Sequence, residues 1–113
     1  MDAIQNTITK LLDKPPLGLA GSIYIPTSPQ ASPPHVSADR TRLKNAIQHI
    51  KNLQNYDEQV LGDSIKKLED VLDDMEFWQH QDLGLAALFD AETVELVRLP
   101  FEVSEAEYLR LIH

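Results

Sequence analysis

Leu83-Gly84-Leu85-Ala86-Ala87-Leu88-Phe89 is an unbroken apolar run held between Asp82 and Asp90. A run of this length, bounded by acidic residues, reads as the buried central strand of a sheet. On its far side Asp90-Ala91-Glu92-Thr93 supplies a hairpin turn. Val94 to Leu99 then returns as a second strand, with Glu95 and Arg98 admitting solvent, until Pro100 stops it. Phe101-Glu102-Val103 is expected to continue as a further strand. Upstream, Leu19 to Ile25 is short, apolar and partly β-branched, and Ser22-Ile23-Tyr24-Ile25 reads as a strand closed by Pro26.

Between these strands lies a region of helical period. Thr27 to His35 holds three of the seven prolines and reads as an extended loop. A helix is expected to begin near Ser37 as N-cap, with Asp39 in its first turn. Leu43, Ala46, Ile47, Ile50 and Leu53 mark its apolar face to about Asn55. A second helix follows from about Asp57 to Phe77, striped by Val60, Leu61, Ile65, Leu68, Val71, Leu72 and Met75. Two adjacent amphipathic helices with a tight link predict an antiparallel hairpin lying on an apolar surface. Trp78 falls close to the stripe of the second helix and reads as a core anchor.

The ends add two smaller elements. Asp2 to Asp13 places Ile4, Ile8, Leu11 and Leu12 at helical spacing, and Lys14-Pro15-Pro16-Leu17-Gly18 ends that segment. Ser104 with Glu107 three residues on fits a capping box, so Ser104 to His113 is expected to be a helical turn. The predicted fold is therefore α+β: a mainly antiparallel sheet with a long helical hairpin packed on it, plus a short N-terminal helix. One domain over residues 1–113 is expected.

Composition narrows the function classes. The chain has 113 residues and sets 10 Lys+Arg against 18 Asp+Glu, for a net charge of −8. Phosphates would be repelled by that balance, which opposes general nucleic-acid binding. With no Cys, disulfides, thiolate metal sites and Cys nucleophiles are excluded, and a cytoplasmic location is expected. No apolar run approaches the roughly 18 residues that a membrane span needs. The segment Met1-Asp2-Ala3 lacks the basic start of a secretory signal.

Motifs for chemistry are few. None of His35, His49, His80 and His113 has the close spacing of a helical zinc site, so no metal is expected. The adjacent pairs Glu69-Asp70 and Asp73-Asp74 resemble acid–base or cation ligands, but opposite an apolar stripe they read as a solvated helix face. No serine lies in a Gly-x-Ser-x-Gly turn, and the four glycines build no phosphate loop. No cofactor or small-molecule substrate is therefore expected. One positive feature stands out. Arg40, Lys44 and Lys51 return to one arc of the first long helix and form a candidate RNA-binding stripe beside the Pro-rich loop. The competing reading is a solvated face paired with the acidic neighbouring helix.

Several segments then fall into a familiar order: Ser22-Ile23-Tyr24-Ile25-Pro26-Thr27, Arg42-Leu43-Lys44-Asn45, Phe77-Trp78-Gln79-His80-Gln81 and Gly84-Leu85-Ala86. Over about residues 19–103 the chain resembles the N-terminal part of bacterial proteins related to archaeal and eukaryotic peptide-chain release factors. The resemblance implies a three-domain parent of which this chain is the first domain. It also implies an α+β fold with helices packed on a mainly antiparallel sheet. In release factors that domain reads the stop codon partly through Asn-Ile-Lys-Ser, which is absent from this sequence. The Gly-Gly-Gln motif of peptide release belongs to a later domain, so no catalytic residue carries over.

Three function classes follow. The first is a non-catalytic module of a release-factor-like protein, associated with ribosome or RNA through Arg40, Lys44 and Lys51. The second is an acidic protein-interaction or self-association domain using the apolar stretch Tyr108 to Ile112. The third, an enzyme with a metal held by Asp, Glu and His, ranks last.

Overall fold

A computed structural model describes residues 18–112 of the chain. The expected N-terminal helix, Asp2 to Asp13, lies outside the described residues. The sheet is built around β1 (Gly18–Pro26), whose alternation is strict: Leu19, Gly21, Ile23 and Ile25 are buried and the residues between them partly exposed. That period of two turns one face of the strand to a core and the other away from it. β2 (Gly84–Phe89) pairs one edge of β1, and β4 (Ala106–Ile112) pairs the other. β3 (Val94–Leu99) lies outside β2, giving a four-stranded order β3-β2-β1-β4 in which every neighbour is antiparallel.

Two helices cover one face of this sheet. α1 (Pro33–Lys51) contributes Leu43, Ile47 and Ile50, and α2 (Glu58–Val71) contributes Leu61, Ile65 and Leu68. They close over Ile23, Ile25, Leu85, Ala87 and Phe89 in a single cluster. Each of the Leu, Ile and Phe side chains contributes about 1.5–3 kcal/mol when fully buried. The α+β class and the antiparallel sheet agree with the sequence reading, as do β1, β2, β3 and the turn between the last two.

The first helix ends at Lys51 rather than near Asn55, which leaves Leu53 outside it and 38% exposed, and three further boundaries differ from expectation. The first helix begins at Pro33, four residues before Ser37, with Ser32 at the N-cap position. Pro33 and Pro34 fill its first positions, where a missing N–H costs nothing and φ is already helical. The second helix does not run to Phe77. It stops at Val71, and a separate short helix, α3 (Met75–Trp78), follows. The stop has a visible cause. Trp78 Nε1 donates to the Val71 carbonyl at 2.8 Å, and Arg40 Nε donates to the Leu72 carbonyl. Both are orphan carbonyls of a helix end. Asp74 then caps the new turn by accepting from the Phe77 amide at 3.1 Å. The second arm of the expected hairpin is accordingly short.

The third difference is at the C-terminal end. Ser104 to Ile112 is not a helical turn, Phe101 to Val103 is not a strand, and His113 lies outside the described residues. Residues from Ala106 instead form β4, with Tyr108 opposite Ser22 and Leu109 opposite Gly21. An open ladder edge on β1, together with the strand-forming Tyr108, Leu109 and Leu111, outweighs the local capping signal. To reach β1 the chain must cross from one edge of the sheet to the other. Three strand spacings amount to about 14 Å. Residues 100–105 span up to about 20 Å when extended, so they suffice. The crossing presses against Gly84, where a Cβ would meet the Phe101 carbonyl oxygen at 2.8 Å.

Trp78 is the core anchor the sequence suggested, with 1% of its surface exposed. Phe77 packs edge-on against it, ring centroids 5.0 Å apart, and carries the Arg98 guanidinium on its own ring. No helix among the described residues is long and apolar enough to cross a membrane.

Two stability predictions follow from these contacts. A Cβ at Gly21 would overlap the Phe89 ring on the neighbouring strand. Gly21→Ala is expected to cost about 1–3 kcal/mol through overpacking, read as a lower urea midpoint. At the β2–β3 turn, Asp90 Oδ1 accepts from the amides of Glu92 (2.9 Å) and Thr93 (2.8 Å) and from the Thr93 hydroxyl (2.9 Å). The Glu92 amide, then the Thr93 amide, hold its carboxyl below its ordinary value of 3.8. A lowered folded value means that the charge stabilises the fold above the unfolded pKa and ceases to as pH falls through the folded one. Asp90→Ala is expected to lose about 1 kcal/mol at neutral pH. Urea titrations should find that deficit narrowing below pH 4, and a constant deficit would refute the assignment.

Candidate functional site

The loop between β1 and α1 is fixed by a buried carboxylate. Asp39 has 1% of its surface exposed, although the sequence reading placed it in the first turn of its helix as a charge suited to the helix N-terminus. With α1 beginning at Pro33, Asp39 sits in the second turn, on the same stripe as Val36, Leu43 and Ala46. Its Oδ2 accepts from the Ser28 amide at 3.1 Å, and its Oδ1 accepts from Arg42 Nη1 at 2.8 Å. One residue earlier, the Thr27 hydroxyl donates to the Asp82 carbonyl at 2.6 Å, and the Thr27 amide donates to the Leu83 carbonyl at 3.1 Å. The loop is thus tied at its base to α1 and to the entrance of β2.

Burial pushes the Asp39 carboxyl above its ordinary value, against the lowering pull of the Ser28 amide and Arg42. The sign is opposite to that of Asp90. For a raised folded pKa, the stabilising contribution is complete below the unfolded value and is lost as pH rises through the folded one. Asp39 therefore orders the loop at some cost in stability at neutral pH, a burden shared by buried ion pairs generally.

The three stripe residues have different fates. Arg40 is engaged by the end of α2: besides the Leu72 carbonyl, its Nη2 lies 3.6 Å from Asp73. Lys51 Nζ donates to Glu69 Oε2 at 2.9 Å. Lys44 is exposed and forms no ion pair among the described residues. Arg42, on another arc, is held by Asp39. Arg40 and Lys44 still meet at one place, a cleft of about 160 Å³ lined also by Ser37, Thr41 and Leu72. A neighbouring cleft joins it to the loop through Ala31 and Pro33, and to α3 through Met75 and Gln79. Among the exposed large apolar residues is Met75, 46% accessible at this margin.

The remaining candidates scatter. His35 Nδ1 pairs with the Ser32 hydroxyl, His49 Nδ1 lies 3.1 Å from Glu107 Oε1, and His80 is exposed. Among the described residues no three His, Asp or Glu side chains gather as a metal site. The apolar tail expected as a contact surface becomes an edge strand, with Tyr108 and Leu111 more than half exposed at 53% and 57%.

Sequence reasoning missed Asp39 and the ties of Thr27 and Asp82. The signal for Asp39 was its spacing from Val36, Leu43 and Ala46, which becomes visible only once the helix start is moved to Pro33. No protein-family model matches the chain, and no curated protein matches it.

Asp39→Ala would leave the Ser28 amide and Arg42 without their acceptor. It is expected to cost about 1–3 kcal/mol, and to speed amide exchange at Ser28 well beyond the change at distant residues.

Proposed function

We propose that the chain is a binding module, the first domain of a release-factor-like protein, and that it meets ribosomal RNA through the Lys44 side of α1. The observation that carries this reading is the convergence of the resembling segments. Thr27 and Ser28, at and just after the end of the Ser-x-Tyr-x-Pro-Thr segment, are tied to Asp82 and to Asp39. Arg42, which opens the Arg-Leu-Lys-Asn segment, holds that same Asp39. In the Phe-Trp-x-His-Gln segment, Trp78 enters the core and Gln81 Nε2 donates to the Phe77 carbonyl at 2.7 Å. Segments far apart in sequence therefore frame one surface, formed by the loop, the start of α1 and α3.

The chemistry at this surface favours binding over turnover. Asp39 and Arg42 direct their hydrogen bonds to the backbone and to each other. Lys44 stands at the rim with Ser37 and Thr41, a cation and hydroxyls suited to a phosphate oxygen. Within a chain of net charge −8, a local cation makes such contact weak, selective in position and sensitive to salt.

The test is co-sedimentation with ribosomes over a salt series. Lys44→Glu is expected to weaken association several-fold and to flatten its salt dependence by about one unit of log–log slope. Lys51→Glu should chiefly lower stability, because it replaces the cation paired with Glu69 by a second carboxylate facing it. Wild-type protein that stays off ribosomes at low salt, or a Lys44→Glu variant that binds unchanged, would sink the reading.

A second reading, protein interaction or self-association, is favoured by β4 itself. Among the described residues this edge strand has an unpaired ladder side together with exposed Tyr108 and Leu111, the features by which sheets extend across molecules. A single 12.8 kDa species at high concentration would remove self-association.

A further inference from the structure

The two edges of the sheet are built differently. β3 exposes Glu95 and Arg98, and Pro100 follows it directly. Charges and a proline discourage further pairing. β4 exposes Tyr108, Arg110 and Leu111, of which Tyr108 and Leu111 are large and mainly apolar. Among the described residues no strand pairs its outer side. One contact tells which backbone groups are free there. Asn55 Nδ2 donates to the Leu109 carbonyl at 3.4 Å, so that carbonyl points away from β1. In an antiparallel ladder the outward groups belong to alternate residues. Glu107, Leu109 and Leu111 therefore carry the outward amides and carbonyls of this edge. Tyr108 and Arg110 lie on the sheet face away from the helices, opposite Ser22 and Ala20 of β1. Tyr108 stands there edge-on to Tyr24, with ring centroids 6.2 Å apart.

We infer that a second copy of this chain pairs with β4, antiparallel, about a two-fold axis through Leu109. The inference rests on the self-association reading above and gives it a register. β4 has seven residues, and Leu109 is the middle one. An axis at Leu109 engages the whole strand: Ala106 faces Ile112 of the second copy, Glu107 faces Leu111, and Leu109 faces its own equivalent. The outward groups of Glu107, Leu109 and Leu111 then meet one another. On the Leu109 carbonyl a backbone amide replaces the side-chain amide of Asn55. On the face away from the helices Tyr108 meets Arg110 twice, once in each direction, a guanidinium beside an aromatic ring. Neighbouring registers lose this match. An axis at Glu107 sets that carboxylate against itself, and an axis at Arg110 sets two guanidiniums together. An axis at Tyr108 moves Arg110 opposite Ala106 and sets Glu107 against Leu109. At a distance two copies of charge −8 repel. The matched edge offsets that only locally, so the dimer is weak and forms at high concentration.

With no Cys in the chain, one introduced thiol reports the axis. A hydrogen-bonded antiparallel pair holds its Cα atoms about 5.5 Å apart, within disulfide reach. Leu109→Cys, oxidised in the full chain, is expected to give a disulfide dimer whose yield rises with protein concentration. Glu107→Cys and Leu111→Cys should stay reduced, since in this register each lies about 14 Å from its equivalent. Sedimentation equilibrium of the wild-type chain should find a mass approaching twice 12.8 kDa at high concentration. Arg110→Glu, with its far-ultraviolet dichroism unchanged, should weaken that dimer about tenfold or more. A mass that stays at 12.8 kDa would overturn the self-association reading and this inference with it. A dimer that cross-links at 107 or 111, or at none of the three positions, or that Arg110→Glu leaves intact, would overturn the register alone.

Discussion

Everything in this fold depends on β1 being paired along both edges. Its partners lie far away in sequence: β2 begins at Gly84 and β4 at Ala106. The strict alternation of Leu19, Ile23 and Ile25 fixes which face the helices cover, because a slip of one residue would expose them all. The cost of joining so distant segments is met on one side by the helical layer, which fills the gap between β1 and β2 with core. On the other side a six-residue crossing is enough, and Gly84 lets its backbone pass closely.

The helical layer is trimmed to serve the same geometry. α2 ends where two side chains from elsewhere claim its last carbonyls. Trp78 does so from inside the core and Arg40 from the neighbouring helix. This double use explains why a basic residue on a helix arc is a poor guide to ligand binding. Arg40 and Lys51 have spent much of their charge inside the molecule, and Lys44 has not. A stripe on a helical wheel records direction, whereas availability depends on what stands opposite.

Much of the fold was legible because its strands and helices carry clean periods. β2 and β3 are marked by their bounding acids and Pro100, and the apolar stripes of both long helices enter the core over Leu43 to Ile50 and Leu61 to Leu68, whereas Leu53 and Met75, beyond the helix ends, are exposed. What escaped the sequence came from contacts between distant residues. The stop at Val71 has no Pro or Gly as local breaker: the stripe runs on through Leu72 and Met75, while Trp78 and Arg40 take the last carbonyls and Asp74 caps the next turn. β4 was hidden because Ser104 and Glu107 offer a plausible cap, while the edge of β1 that outcompetes it lies some eighty residues upstream in the chain. At the candidate site, Lys44 was found by spacing. The same rule misplaces Asp39 when the helix is counted from Ser37, because Pro33-Pro34, which reads as loop, is the helix start.

The central position of the first strand also has a kinetic side. During synthesis β1 emerges early, yet neither of its neighbours exists until most of the chain has followed. Contacts of this sequence separation are slow to form, since a long loop must close before any is rewarded. Until then an apolar strand with two vacant ladder edges is presented to whatever is nearby, the circumstance in which chains aggregate. The helices form locally and can shelter one face of β1, but not its edges. Efficient folding of this domain in a cell is therefore a matter of timing, set by how quickly residues 84–112 arrive after residue 26.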